Sequence, residues 1–180
     1  MTAPPGWAAL RGDAPSLHDD LLALVVRTPV WAHLDPRRRR GLSQVLDTIA
    51  HVSATTGAAT TLLHLDPGTP PANQPAVDAE PAVSAITLTW LRTAPILADL
   101  DLARLVLGDG EPLTTGLGPG LVNRSIETSP TGEDQITTQI AAPLPASIWI
   151  AVLTGTTTSL DHAPSMDDAL LAVAASLRTP

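Results

Sequence analysis

The sequence predicts an α+β fold, an antiparallel sheet of five or six strands with helices packed on it. Three observations lead there. Apolar residues recur at helical spacing near 36–56 and 165–178. They alternate over 82–92 and run almost unbroken over 148–154. Consecutive strand candidates are joined by short turns, which favours neighbours that run antiparallel. The 180 residues suit one domain, 1–180, with an extended arm over 1–15 and a Pro-rich loop over 66–81.

Each element has its own signal. Trp7 follows the turn pair Pro5-Gly6 and is expected to anchor the arm. Ser16 offers a helix N-cap, with Asp19 three residues on, and Leu17, Leu21, Leu22, Leu24 and Val25 follow in a short helix ending before Pro29. Asp35 is a good N-cap and Pro36 suits the first helical position. Leu42, Val45, Leu46, Ile49 and Val52 then form one stripe, and Gly57 stops the helix. Residues 58–65 read as a strand. The loop over 66–81 is long enough to be a flap, and 82–92 alternates Val83, Ala85 and Thr87 against Ser84, Ile86, Leu88 and Trp90. A helix is expected over 95–107, broken by Asp109-Gly110 and the glycine run Gly116–Gly120. Strands follow at about 120–128, 134–142 and 147–158, with Pro130-Thr131-Gly132 as a turn. The last of these is apolar enough to be central. A final helix over 165–178 takes Ser165 as N-cap, with Asp167 and Asp168 in its first turn.

Composition narrows the function classes. Hydrophobic residues make up 44% of the chain but aromatics only 2%, all four of them Trp. Leu, Val, Ile and Ala must build the core, and Trp90 and Trp149 are expected to be largely buried. All ten basic residues are Arg, a bias that with abundant Ala, Pro and Thr suggests a high-GC, actinobacterial genome. The net charge of −8 argues against nucleic-acid partners. Residues 1–10 lack the pattern of a secretory signal, and no stretch is long and apolar enough to span a bilayer, so the expected location is the cytoplasm with no membrane partner.

The residues for chemistry are sparse. There is no Cys, Lys or Tyr, which removes thiolate, amine and phenol catalysis. His18, His33, His51, His64 and His162 show no metal-ligand spacing. His64-Leu65-Asp66 and Asp161-His162 place imidazole near carboxylate, a pattern common by chance. Asp99, Asp101, Asp109 and Glu111 read as a solvated rim. The Gly116–Gly120 run lacks the Lys-Ser/Thr of a phosphate loop and reads as a flexible turn. No catalytic residue, metal ligand or cofactor is assigned. Arg37, Arg38, Arg39 and Arg40 are the one candidate binding feature. Four cations near a helix start oppose the helix dipole, so they either bind an acidic partner or balance nearby acids such as Asp19, Asp20 and Asp35.

Pro4-Pro5-Gly6-Trp7, the junction Thr55-Thr56-Gly57-Ala58, and the ending Pro143-Leu144-Pro145 through Thr154, then Met166 to Arg178, together resemble a group of uncharacterised actinobacterial proteins with a PsbP-like α/β/α sandwich. The resemblance covers most of the chain and rests on the order of elements. The family's aromatic positions are not matched, since Phe and Tyr are absent. It implies an accessory or binding protein rather than an enzyme.

Three functions follow for comparison with the structure. The first is a non-enzymatic accessory or protein-interaction domain, oligomerising or serving a secretion-system or toxin partner. The second is a small-molecule binding module with an apolar pocket between sheet and helices, lined by Trp90 or Trp149. The third is a hydrolase built from dispersed His and Asp residues. A flat apolar patch, an apolar cavity, or a cleft holding a His–carboxylate pair would favour each in turn.

Overall fold

The computed structural model describes residues 1–67, 81–93, 102–128 and 134–178. The chain order is β1 (Ala8–Arg11), α1 (Leu17–Val26), α2 (Pro29–His33), α3 (Pro36–Thr56), β2 (Ala58–Asp66), β3 (Ala82–Arg92), α4 (Leu102–Leu107), β4 (Glu111–Thr115), β5 (Gly118–Thr128), β6 (Asp134–Pro143), β7 (Trp149–Thr157), a 3-10 turn (Leu160–His162) and α5 (Ala163–Ser176). The strands form one antiparallel sheet in the order β1-β2-β3-β7-β6-β5-β4. The fold class is therefore the expected one, with seven strands in place of five or six. The apolar β7 is the middle strand.

The two extra strands lie where the sequence reads as punctuation. β1 sits in the arm and pairs Ala8–Arg11 with Leu63–Thr60 of β2. β4 lies in the stretch read as a break before the glycine run. Gly116 and Leu117 form a tight turn closed by Thr115, whose Oγ1 donates to the Gly118 carbonyl and accepts from Leu117 N–H. Leu117 is then buried, and Gly118 already belongs to β5. The glycines mark a hairpin rather than a flexible turn.

α3 matches its expected limits. The Asp35 carboxylate accepts from the backbone N–H groups of Arg37 and Arg38, and Gly57 ends the helix in the left-handed region at φ 67°. Other caps differ. Ser16 stands at the N-cap of α1, but its hydroxyl donates to the Asp20 side chain instead of a backbone acceptor or donor of the helix start. α5 begins at Ala163, so Ser165 lies inside it and Asp167 and Asp168 fall beyond its first turn. Of the helix expected over 95–107, only Leu102–Leu107 lies within the described residues. The loop 68–80, Asp99, Asp101 and the turn Pro130-Thr131-Gly132 lie outside them.

Helices cover both faces of the sheet. α5 lies on one, where Leu170, Val173 and Ala174 meet Leu62, Ile86, Ile140 and Leu153. On the other, α1 and α3 pack Leu21, Val25, Leu42 and Leu46 against Leu63 and Val83, while α4 packs Ala103 and Leu107 against Leu121, Ala141 and Ile150. Trp149 is not buried as expected; it is 39% exposed. It opens β7 and pairs with Arg92, the last residue of β3, so its ring sits at the end of the sheet. Trp90 is half-buried against the α5 core, as is Trp7, which does anchor the arm. None of the described helices is long and apolar enough to cross a membrane.

Candidate functional site

Local chemistry uses part of the arginine run in the fold. The Arg38 and Arg37 N–H groups hold the Asp35 carboxyl below the usual carboxylate range, helped by the charges of the same two residues. The Arg38 guanidinium lies 3.8 Å from Asp35. Arg39 lies over the Trp31 ring at 5.6 Å and donates to the carbonyls of Trp31 and Ala32, which ties α3 to α2. Arg37 and Arg40 remain exposed. The four residues therefore stand at one helix end without converging on one site.

Between α3 and the middle of the sheet lies a cleft of about 210 Å³. Its origin is the register. Ala85 pairs with Thr156 and Thr87 with Thr154, so both pairs face α3. α3 is held to β2 by a buried bond between the Ser53 and Thr61 hydroxyls at 3.0 Å and stands off from β7. Val45, Ile49 and Val52 of α3 form one wall, and Val83, Ala85, Thr87, Thr154 and Thr156 form the floor, with Gln135 at one end. Among the described residues, no charged side chain lines it. Neither Trp90 nor Trp149 does either, contrary to the sequence expectation.

A polar cleft of about 390 Å³ lies on the other face, beside α5. There Thr138 donates to Asp167 at 2.7 Å and Arg124 stands 3.5 Å from the same carboxylate, with Asp109 and Glu111 nearby. Arg124 and Asp167 are thus paired with each other within the cleft.

A third group stands where β2 and β7 run out. His64 pairs with Ser84, and Ser84 with Thr157, so His64 and Thr157 stand on one face, two strands apart. After Thr157 the chain turns back over that face. This brings His162 Nε2 to 3.3 Å from Asp66 Oδ2, while His162 Nδ1 lies 2.9 Å from Ser159 Oγ. Trp7 stacks on His64 with ring centres 5.4 Å apart. Burial pushes the His64 imidazole below its ordinary range, with His162 acting the same way and Asp66 opposing. The sequence marked the carboxylate–imidazole pairs as chance and passed over Ser159. Only the strand order joins residues 66 and 162. Among the described residues, no group of three His, Cys, Asp or Glu is placed to hold a metal.

No protein-family model matches the chain, and no curated protein matches it. Among solved structures, a distant neighbour is LpqN, described as involved in cell envelope biogenesis of Mycobacterium tuberculosis. It is 16% identical, with a TM-score of 0.46, over 100% of this chain and 82% of that one. A likeness this remote transfers no function.

Proposed function

We propose that the chain is an accessory domain that binds a small, uncharged, apolar ligand between α3 and the centre of the sheet. The observation that carries this reading is the cleft lining, which among the described residues is Val, Ile, Ala and Thr with one Gln and no charged side chain. Such a surface offers little to a charged group, which would lose hydration without a partner. Its volume exceeds the roughly 150 Å³ of an engineered cavity that takes benzene, so a single ring or short alkyl group fits. Arg37 and Arg40, exposed at the start of the same helix, are the part of the arginine run available to an acidic protein partner. The PsbP-like resemblance supports an accessory role in the same sense.

Fluorine NMR of fluorobenzene is the test. Binding should broaden its signal in the presence of the protein, and Thr156→Phe, which fills the cleft floor, should abolish the broadening without unfolding the chain. Equal broadening with the filled variant would place the binding elsewhere and sink the reading.

A further inference from the structure

We propose that Ser159, His162 and Asp66 form an acyl-transfer site in which Ser159 Oγ attacks the carbonyl carbon of a short, uncharged carboxylic ester. This goes beyond the binding role proposed above and lies on the opposite face of the sheet. Ser159 Oγ is 2.9 Å from His162 Nδ1, and His162 Nε2 is 3.3 Å from Asp66 Oδ2. Among the described residues, His162 is the histidine with a side-chain partner on each ring nitrogen. The Asp66 carboxylate within ion-pair distance of Nε2 favours the proton on that nitrogen, which leaves the Nδ1 lone pair toward the serine hydroxyl, the arrangement a general base needs. The Asp66 contact is longer than an ideal hydrogen bond, within the looseness of an unliganded relay.

The steps balance without a co-reactant other than water. The Oγ proton passes to Nδ1 as the Oγ–C bond forms. The tetrahedral oxyanion collapses, the bond to the leaving oxygen breaks, and the imidazolium returns its proton to that oxygen. Water then attacks the acyl-serine by the same route, releasing the carboxylic acid and restoring Ser159. Asp66 stays ionised throughout and acts as a positioning residue. α5 runs for 14 residues from Ala163, immediately after His162, so the relay stands at the start of that helix. Ser159 and His162 are half-buried and Leu160 between them is 56% exposed, so the hydroxyl stands near the surface beside an apolar contact. An anionic substrate would meet the Asp66 charge, which favours an uncharged one.

A fluorophosphonate probe with mass mapping tests the nucleophile, and p-nitrophenyl butyrate hydrolysis tests turnover. The expected result is one equivalent of adduct on Ser159 in the folded wild-type chain and none in Ser159→Ala. His162→Gln should slow labelling about 100-fold with an unchanged unfolding curve. Asp66→Asn should lower the acylation rate about tenfold or more at unchanged KM, and Asp66→Glu should restore part of it. Thr156→Phe, in the other cleft, should label as wild type, so the two proposals fail separately. Folded wild-type protein with no adduct on Ser159, or an adduct forming equally fast in His162→Gln, overturns the proposal.

Discussion

The two faces of the sheet are made by the same strands and packed very differently. Along β7, Ala151, Leu153, Gly155 and Thr157 face α5, while Ile150, Val152, Thr154 and Thr156 face the other way. Toward α5 the small residue lets the helix in: a methyl at Gly155 would run into the Met166 sulfur, and Met166, Leu170, Val173 and Ala174 are each at most 1% exposed. Toward α3 the strand offers half-buried threonines, and the helix facing them keeps its distance. Alternation within one strand thus separates a closed core face from an open one. The difference teaches that the apolar content of a strand is a poor guide to its packing, since both faces here are rich in methyl groups.

Paired truncations give the largest expected contrast. Leu170→Ala removes a fully buried side chain from the closed face and should cost about 3–4 kcal/mol. Ile49→Ala removes a half-buried one from the cleft wall, where solvent already reaches, and should cost about 1 kcal/mol. Denaturant unfolding of both variants decides the matter. Equal losses would show that the cleft closes in solution and that the two faces are packed alike.

Additions should reverse the pattern. Gly155→Val pushes two methyl groups into Met166 and Leu170 and should destabilise by about 2 kcal/mol. Thr156→Val, across the strand from Ala85 and facing the cleft, keeps the shape and should change stability by less than about 0.5 kcal/mol. A neutral Gly155→Val would show that Met166 moves freely aside and that the close approach of α5 is not a constraint.

The parts of the molecule legible in the sequence are those set by local chemistry. Asp35-Pro36 and Gly57 fix both ends of α3, and the alternation of 82–92 fixes β3, because caps and pleats are decided within a few residues. β1 was hidden since four residues of an Ala- and Pro-rich arm become a strand only when β2 offers an edge. The His162 relay was hidden for a stronger reason: Asp66 and His162 meet only through the order β2-β3-β7, which no spacing encodes. The cleft is a matter of where α3 stands relative to β7, and its stripe of Leu42, Leu46 and Ile49 would look the same with the gap filled.

Trp149 gives a smaller effect and a direct correction of a sequence argument. A Trp inside an apolar run suggests a core anchor whose loss would cost several kcal/mol. At 39% exposure, and paired with Arg92 at the strand end, its ring has solvent on one side. Trp149→Ala should therefore cost about 1–2 kcal/mol in thermal or denaturant unfolding, well short of the loss of a fully buried Trp. A loss above about 3 kcal/mol would mean that the end of the sheet is covered in solution and would make Trp149 part of the closed face.

The smallest expected effect is a pH slope, and it tests whether the Trp7–His64 stack belongs to the packed side. Burial lowers the folded-state affinity of His64 for a proton below its ordinary value of 6.5, with His162 adding to the effect and Asp66 resisting it. The unfolded chain then binds more protons than the native one between the folded value and 6.5. Stability contributed by the neutral imidazole is fully present above pH 6.5 and is lost as pH falls through that window. Asp66 on β2 and His162 beyond β7 are the ionisable groups facing it, while Trp7 on the arm contributes only its ring. Other carboxylates also weaken the fold in acid, so the comparison is with His64→Phe, which keeps an apolar ring against Trp7. Between pH 7.5 and 5.5 the wild-type chain should lose more stability than the variant, and the two curves should run parallel above pH 7. Parallel curves over the whole range would mean that water reaches the imidazole freely and that the arm does not shield it.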